Sequence, residues 1–101
     1  MLSAVGAQPD AERIARALVE ERLAACVNVV PGITSIYRWK GTVEQEPELL
    51  LVMKTLAEQV DALKARLLEL HPYDLPEVVV IPIGDGHKPY LDWLAEQVRP
   101  L

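Results

Sequence analysis

Phenylalanine is absent from this chain, cysteine occurs once and histidine only twice. A single cysteine, Cys26, excludes an internal disulfide framework. The two imidazoles, His71 and His87, do not stand at the i, i+4 spacing of a helical zinc motif. Basic residues are scarce as well: ten Lys and Arg against fifteen Asp and Glu leave a net charge of −5. That balance disfavours a nucleic-acid surface, which rests on clustered cations. No apolar run approaches the ~20 residues that cross a bilayer. The N-terminus lacks the charged start and long apolar segment of a secretory signal, so a cytoplasmic location is expected. No glycine-rich phosphate loop occurs, and Ser3 and Ser35 have no histidine nearby in sequence. With no nucleophile, base and orienting group in view, no enzymatic activity is expected.

What remains is a chain of 101 residues, half apolar and a quarter charged, expected to form one domain over 1–101. Met1–Gly6 reads as a short first strand. From about Pro9 to Leu23 the apolar residues Ala11, Ile14, Ala15, Leu18 and Val19 fall on one helical stripe. Ala25–Val30 is a second strand, interrupted at Pro31-Gly32. Ile33–Trp39 resumes with Ile33, Ser35, Tyr37 and Trp39 on one side. Lys40-Gly41-Thr42 is a hairpin turn, Pro47 marks a bulge or edge, and Leu49–Met53 is a third strand. Thr55-Leu-Ala-Glu58 has the form of a capping box opening a second helix, which carries Val60, Leu63, Leu67 and Leu70 and stops before His71-Pro72. Glu77–Ile83 is expected as a fourth strand and Lys88–Val98 as a last helix. The order predicts an α+β, ferredoxin-like βαββαβ antiparallel sheet with an extra C-terminal helix.

Two of these strands, Leu49–Met53 and Val78–Ile81, are apolar on both faces. Two helices bury one face of a sheet, and the last helix is too short to cover the other. Four or five aliphatic side chains left in water would forgo ~1.5–3 kcal/mol each. Self-association through the sheet is therefore expected.

Three stretches carry a family resemblance: Arg22-Leu-Ala-Ala-Cys-Val-Asn-Val-Val-Pro-Gly-Ile-Thr-Ser-Ile-Tyr-Arg-Trp-Lys-Gly41, His71-Pro-Tyr-Asp-Leu-Pro-Glu77 and Tyr90-Leu-Asp-Trp-Leu94. Together, in this order, they closely resemble the CutA family of divalent-cation tolerance proteins. The resemblance implies a homotrimer shaped like PII signalling proteins, its sheets facing a three-fold axis and its long hairpin reaching onto a neighbour. It also implies a role in tolerance of ions such as copper. Some members carry a thiol in the first strand; here the matching region holds Ser3, a departure that argues against a thiol-based copper site.

Each candidate group has a structural reading beside a chemical one. Cys26 is a small buried hydrophobe or a metal ligand, with no Lys, Arg or His within a few residues to favour its thiolate. His71 bonds the last carbonyls of the preceding helix or ligates a metal. His87 is a solvated residue beside Asp85, or the two join a neighbour's glutamate around an ion. Glu44 and Glu46 share a strand face, either converging on a hard cation with water completing the shell or forming a solvated edge with Glu48; any divalent cation held as a cofactor, copper or zinc, is expected to be weakly bound. Tyr37, Trp39, Tyr73, Tyr90 and Trp93 suit an interface or a ligand cleft. Lys54, before the second helix, is the best candidate for an anion contact. A cleft between subunits lined by Tyr37, Trp39, Lys54, His71, Glu77 and Trp93 is the expected site, taking a metal or small-molecule ligand.

Overall fold

The computed structural model describes residues 1–99. Strand β1 (Leu2–Val5) leads to helix α1 (Gln8–Glu20), then to strands β2 (Cys26–Trp39) and β3 (Thr42–Lys54). A 3-10 turn at Ala57–Gln59 precedes α2 (Val60–Leu70), and α3 (Lys88–Val98) follows a long irregular segment. The sheet is antiparallel with order β1-β3-β2, so the architecture is α+β. Its long axis of 45 Å is about the length of the hairpin, since a strand rises about 3.4 Å per residue.

One face of the sheet makes the core. Leu49, Leu51 and Met53 point to it, together with Val5 and the partly buried Val27 and Val29. Helix α1 contributes Ala11, Ile14 and Leu18, and α2 contributes Leu63 and Leu67, all fully buried. These belong to the stripes that helical periodicity predicts, from which Val19 departs by standing exposed. Helix α3 sits apart, where Leu94 and Val98 close over Ala25 and Leu56. Its carboxyl end is held by Arg22, whose guanidinium donates to the Gln97 carbonyl at 3.1 Å, a favourable place for a cation.

Pro31-Gly32 does not break the strand. The pairing steps from Val30↔Leu50 to Ile33↔Glu48, so β2 has one residue more than β3 over that interval. This is a β-bulge, and Gly32 takes the left-handed φ of 77° that a residue with a Cβ resists. Because directly opposite residues share a face, the bulge resets the alternation. Ile33, Ser35, Tyr37 and Trp39 land with Cys26, Asn28 and Val30 on the face away from the helices. Pro47 is accommodated for a related reason. Met53 and Met1 exchange backbone hydrogen bonds, so odd-numbered residues of β3 aim their N–H groups toward β1. Pro47 lies beyond the end of β1, where no donor is required.

Two expectations need correction. The fourth strand is reduced to a single bridge, with Leu2 and Val79 exchanging bonds of 2.8 and 3.1 Å. The next rung is pre-empted because the Ala4 carbonyl accepts a bond from the His71 ring, and Pro76 and Pro82 flank the segment without donors. The capping box is also absent. Thr55 donates its hydroxyl to the Leu23 carbonyl at 2.7 Å, tying the end of β3 to the chain leaving α1, and α2 begins only at Val60 with no side-chain cap.

Ser3 is fully buried and its hydroxyl has no partner among the described residues. An unsatisfied buried polar group costs about 1–3 kcal/mol, so Ser3→Ala should leave stability unchanged or raise it by about 1 kcal/mol in urea unfolding. Gly32→Val should lower stability by about 1–3 kcal/mol, because a β-branched residue is strained at positive φ; an unchanged unfolding midpoint would contradict the bulge.

Candidate functional site

Beyond the Val5↔Leu49 pair β1 has ended, while β3 continues back to Thr42. The gap that this leaves is a cleft of about 1040 Å³. One wall is the outer hairpin with Tyr37, Trp39, Glu46 and Glu48; the other is the Tyr73–Glu77 segment, and Ala4 and Gly6 form the base.

The second wall is set by His71. Its ring is buried, and Nε2 lies 2.9 Å from the Ala4 carbonyl. A carbonyl only accepts, so Nε2 carries the proton. Nδ1 then accepts the Tyr73 N–H at 3.1 Å, which defines a neutral tautomer with both nitrogens engaged. The ring also meets Tyr73 edge-on with centroids 4.8 Å apart. The His71 ring therefore bonds β1 rather than the carbonyls of α2, correcting that part of the sequence reading, while its backbone N–H donates to the Leu67 carbonyl at 2.9 Å. Tyr73 in turn donates to the Glu48 carboxylate at 2.8 Å. A Cβ on Gly6 would stand 3.0 Å from the Tyr73 hydroxyl, so glycine is what lets the ring lie so close.

The cleft is electronegative. Glu46, Glu48, Asp74 and Glu77 line it, and among the described residues its lining contains no Lys, Arg or His. Burial pushes the Tyr73 phenol up, reinforced by the bond to Glu48 and the charge of that carboxylate. Tyr37 is raised too, by desolvation first and then by Glu46, Glu44 and Glu48. Tyr37, Trp39 and Tyr73 remain 42%, 44% and 41% exposed, so their rings are accessible from the opening.

Of the residues expected in one cleft, the chain brings together Tyr37, Trp39, Tyr73 and Glu77, with His71 behind them. Lys54 and Trp93 lie elsewhere. Lys54 pairs with Cys26 at the opposite end of β3, about 20 Å along the strand from Glu48. Its ammonium sits 5.9 Å from the Tyr90 ring centroid, and Tyr90 packs on Trp93 at 5.5 Å. Lys54 is thus next to an aromatic ring. Cys26 is half-buried, outside both buried clusters, and faces Lys54 across the strands, a neighbour 28 positions away that sequence proximity does not reveal. Asp85 accepts the N–H of Gly86 at 2.8 Å, and His87 is the exposed residue preceding α3. Glu44, Glu46 and Glu48 do share a face. Among the described residues, no three His, Cys, Asp or Glu side chains are grouped to hold an ion. Sequence reasoning missed Asp74, Leu75 and Pro76 as lining residues; the only signal was their place between Tyr73 and Glu77.

These elements define an α+β protein with a long bulged hairpin beside an acidic, aromatic cleft. Residues 1–97 match the model of the CutA1 divalent ion tolerance proteins, and the chain belongs to that family. It is 55% identical over 96 residues to the divalent-cation tolerance protein CutA of Thermus thermophilus, covering 95% of this chain and 93% of that protein. The Thermus structure superposes with a TM-score of 0.94 at 54% identity, covering 97% and 95% of the two chains. A Nostoc structure described as a PII-like protein CutA gives 0.90 at 43% identity over 97% of this chain and 94% of that one. The chain spans only 48% to 59% of the animal and plant relatives it matches. One of these, from rice, is 46% identical over 88 residues, 87% of this chain and 50% of its own length, and is named as chloroplastic.

The raised Tyr73 phenol has a consequence for alkaline stability. Its proton is held more tightly in the folded chain than at the ordinary value of 10.0. The stabilisation is complete below that value and is lost as pH rises above it. Tyr73→Phe should flatten the loss of stability above pH 10 and remove the last tyrosinate absorbance step; loss of the first step instead would contradict the Tyr73–Glu48 bond.

Proposed function

We propose that the protein acts as a homotrimeric binding or regulatory protein in the response to divalent cations such as copper, without an enzymatic role. The observation that carries this reading is the uncovered apolar surface. Val79, Val80, Ile81, Ile83 and Leu75 are all exposed in the single chain, as are Val30 and Ile36 on the hairpin. Patches of this kind mark association surfaces, and a second copy is the cover that every such chain has available. A ring of copies would also bring the Lys54–Tyr90–Trp93 end of one chain toward the Tyr37–Trp39 end of another. Cation contacts then fall to Asp85 and His87 with a neighbour's glutamate, to Glu44 and Glu46, and to His71 only if an ion displaces a present bond. The family name and that of the Thermus relative support the divalent-cation role. The cytoplasm is the proposed compartment, and among the described residues no helix is long and apolar enough to cross a membrane.

Light scattering should return three times the chain mass of 11.2 kDa. Ile81→Asp, which alters a residue 56% exposed in the single chain, should lower that mass without unfolding the protein. Titration calorimetry with Cu²⁺ and Zn²⁺ should show heat. A trimer that gives none would favour the second reading, a PII-like scaffold or interaction module with no metal role of its own, which the name of the Nostoc relative supports.

A further inference from the structure

Helix α1 ends in a Schellman motif. The Leu23 N–H donates to the Leu18 carbonyl at 3.0 Å, and the Arg22 N–H to the Val19 carbonyl at 3.1 Å. The residue at the turn is usually glycine, because the backbone there is left-handed. Here it is Arg22, at a φ of 59°. A side chain kept at a position that resists it points to what that side chain does. The Arg22 guanidinium reaches the far end of the chain, donating to the carbonyls of Gln97 at 3.1 Å and of Glu96 and Arg99 at 3.5 Å. Carbonyls at a helix end have no partner within the helix. Gln59 supplies a second donor, to the Val98 carbonyl at 3.2 Å.

Little else attaches α3 to its own chain. Only Leu94 and Val98 are buried in it, in a cluster with Ala25 and Leu56 that is separate from the main core. Residues 79–90, which lead into the helix and form its first turn, are all exposed in the single chain. Among the described residues the hydrogen bonds of 80–87 are local, from the Gly86 N–H to Asp85 and from the Leu91 N–H to His87. A small buried contact on an unbonded tether marks a unit that opens by itself, below the cost of global unfolding.

We propose that α3 is a separately opening unit latched by Arg22, and that its closure is coupled to the meeting of copies. The coupling rests on the homotrimer reading; the latch does not. Closed, α3 presents Tyr90 and Trp93 beside Lys54, the end that a ring of copies brings toward another chain's Tyr37 and Trp39. A copy that meets these rings favours the closed state over the open one. Assembly therefore closes the helix, and by the same linkage a closed helix strengthens assembly.

Hydrogen exchange of the full chain, read by mass spectrometry beside light scattering of the same samples, tests both parts. Arg22→Gly removes the guanidinium and suits the turn, so α3 should exchange about tenfold faster while α1 exchanges no faster than before. Gln59→Ala leaves the turn untouched and should speed α3 in the same direction. Unchanged α3 exchange in both variants, or equal acceleration of α1 and α3, would overturn the latch. Ile36 pairs with Gln45, about 30 Å along β3 from Lys54, so within its own chain it is remote from α3. Ile36→Asp should lower the assembled mass and speed α3 about tenfold. An undiminished mass, or a lowered mass with α3 exchange unchanged, would overturn the coupling. An unaltered chain that scatters as a monomer would refute the trimer and the coupling together, and Arg22→Gly would still decide the latch.

Discussion

Strand β3 has thirteen residues and β1 only four, and most of the molecule's character follows from that mismatch. Where the two overlap, the sheet is three strands wide and buries Leu49, Leu51 and Met53 under two helices. Past Val5 the hairpin continues alone, with one edge of β3 open and both faces accessible. Backbone groups left in this way must be met by water, a side chain or another strand. The cleft is the space beside that open edge, and the Tyr73–Glu77 segment closes it from the far side.

Two small devices give the overhang its chemistry. The one-residue bulge at Gly32 sets the parity of the outer hairpin, so that Tyr37 and Trp39 share a face with Glu44, Glu46 and Glu48. A shift of one residue would send the rings to the opposite side. The His71 ring, bonded at both nitrogens, fixes the second wall to β1 and presents Tyr73 to Glu48. The same ring occupies the carbonyl that a longer fourth strand would have used. One imidazole thereby defines a cleft wall, and the segment after it pairs only at Val79, leaving Val79, Val80, Ile81 and Ile83 exposed while Val78 packs against the core.

The electrostatics are one-sided by construction. Carboxylates on alternate residues of a strand repel one another unless a cation stands between them, and Lys54 lies at the other end of β3. The separation of acidic and basic aromatic ends along one hairpin suits a head-to-tail relation between copies. Lys54 and Trp93, expected in one cleft with Tyr37 and Trp39, stand at the other end of the hairpin within the chain.

The helices, their buried stripes, the hairpin and the family were legible in the sequence, because periodicity, turn residues and three idiosyncratic motifs are local signals. Leu63 and Leu67, for example, are set by helical spacing alone. The fates of Thr55, His71 and the fourth strand were not legible. Each turns on a hydrogen-bond partner distant in sequence: Leu23 for Thr55, Ala4 for His71, and a competition for the Ala4 carbonyl for residue 77. Alternation alone placed Tyr37 and Trp39 on one side of a strand, but only the bulge decided which side. The sequence by itself therefore determined the helices, the hairpin and the apolar excess of the Leu49–Met53 and Val78–Ile81 segments. The tertiary structure decided which side chains meet, since a register and a shared carbonyl are properties of paired segments rather than of either segment alone.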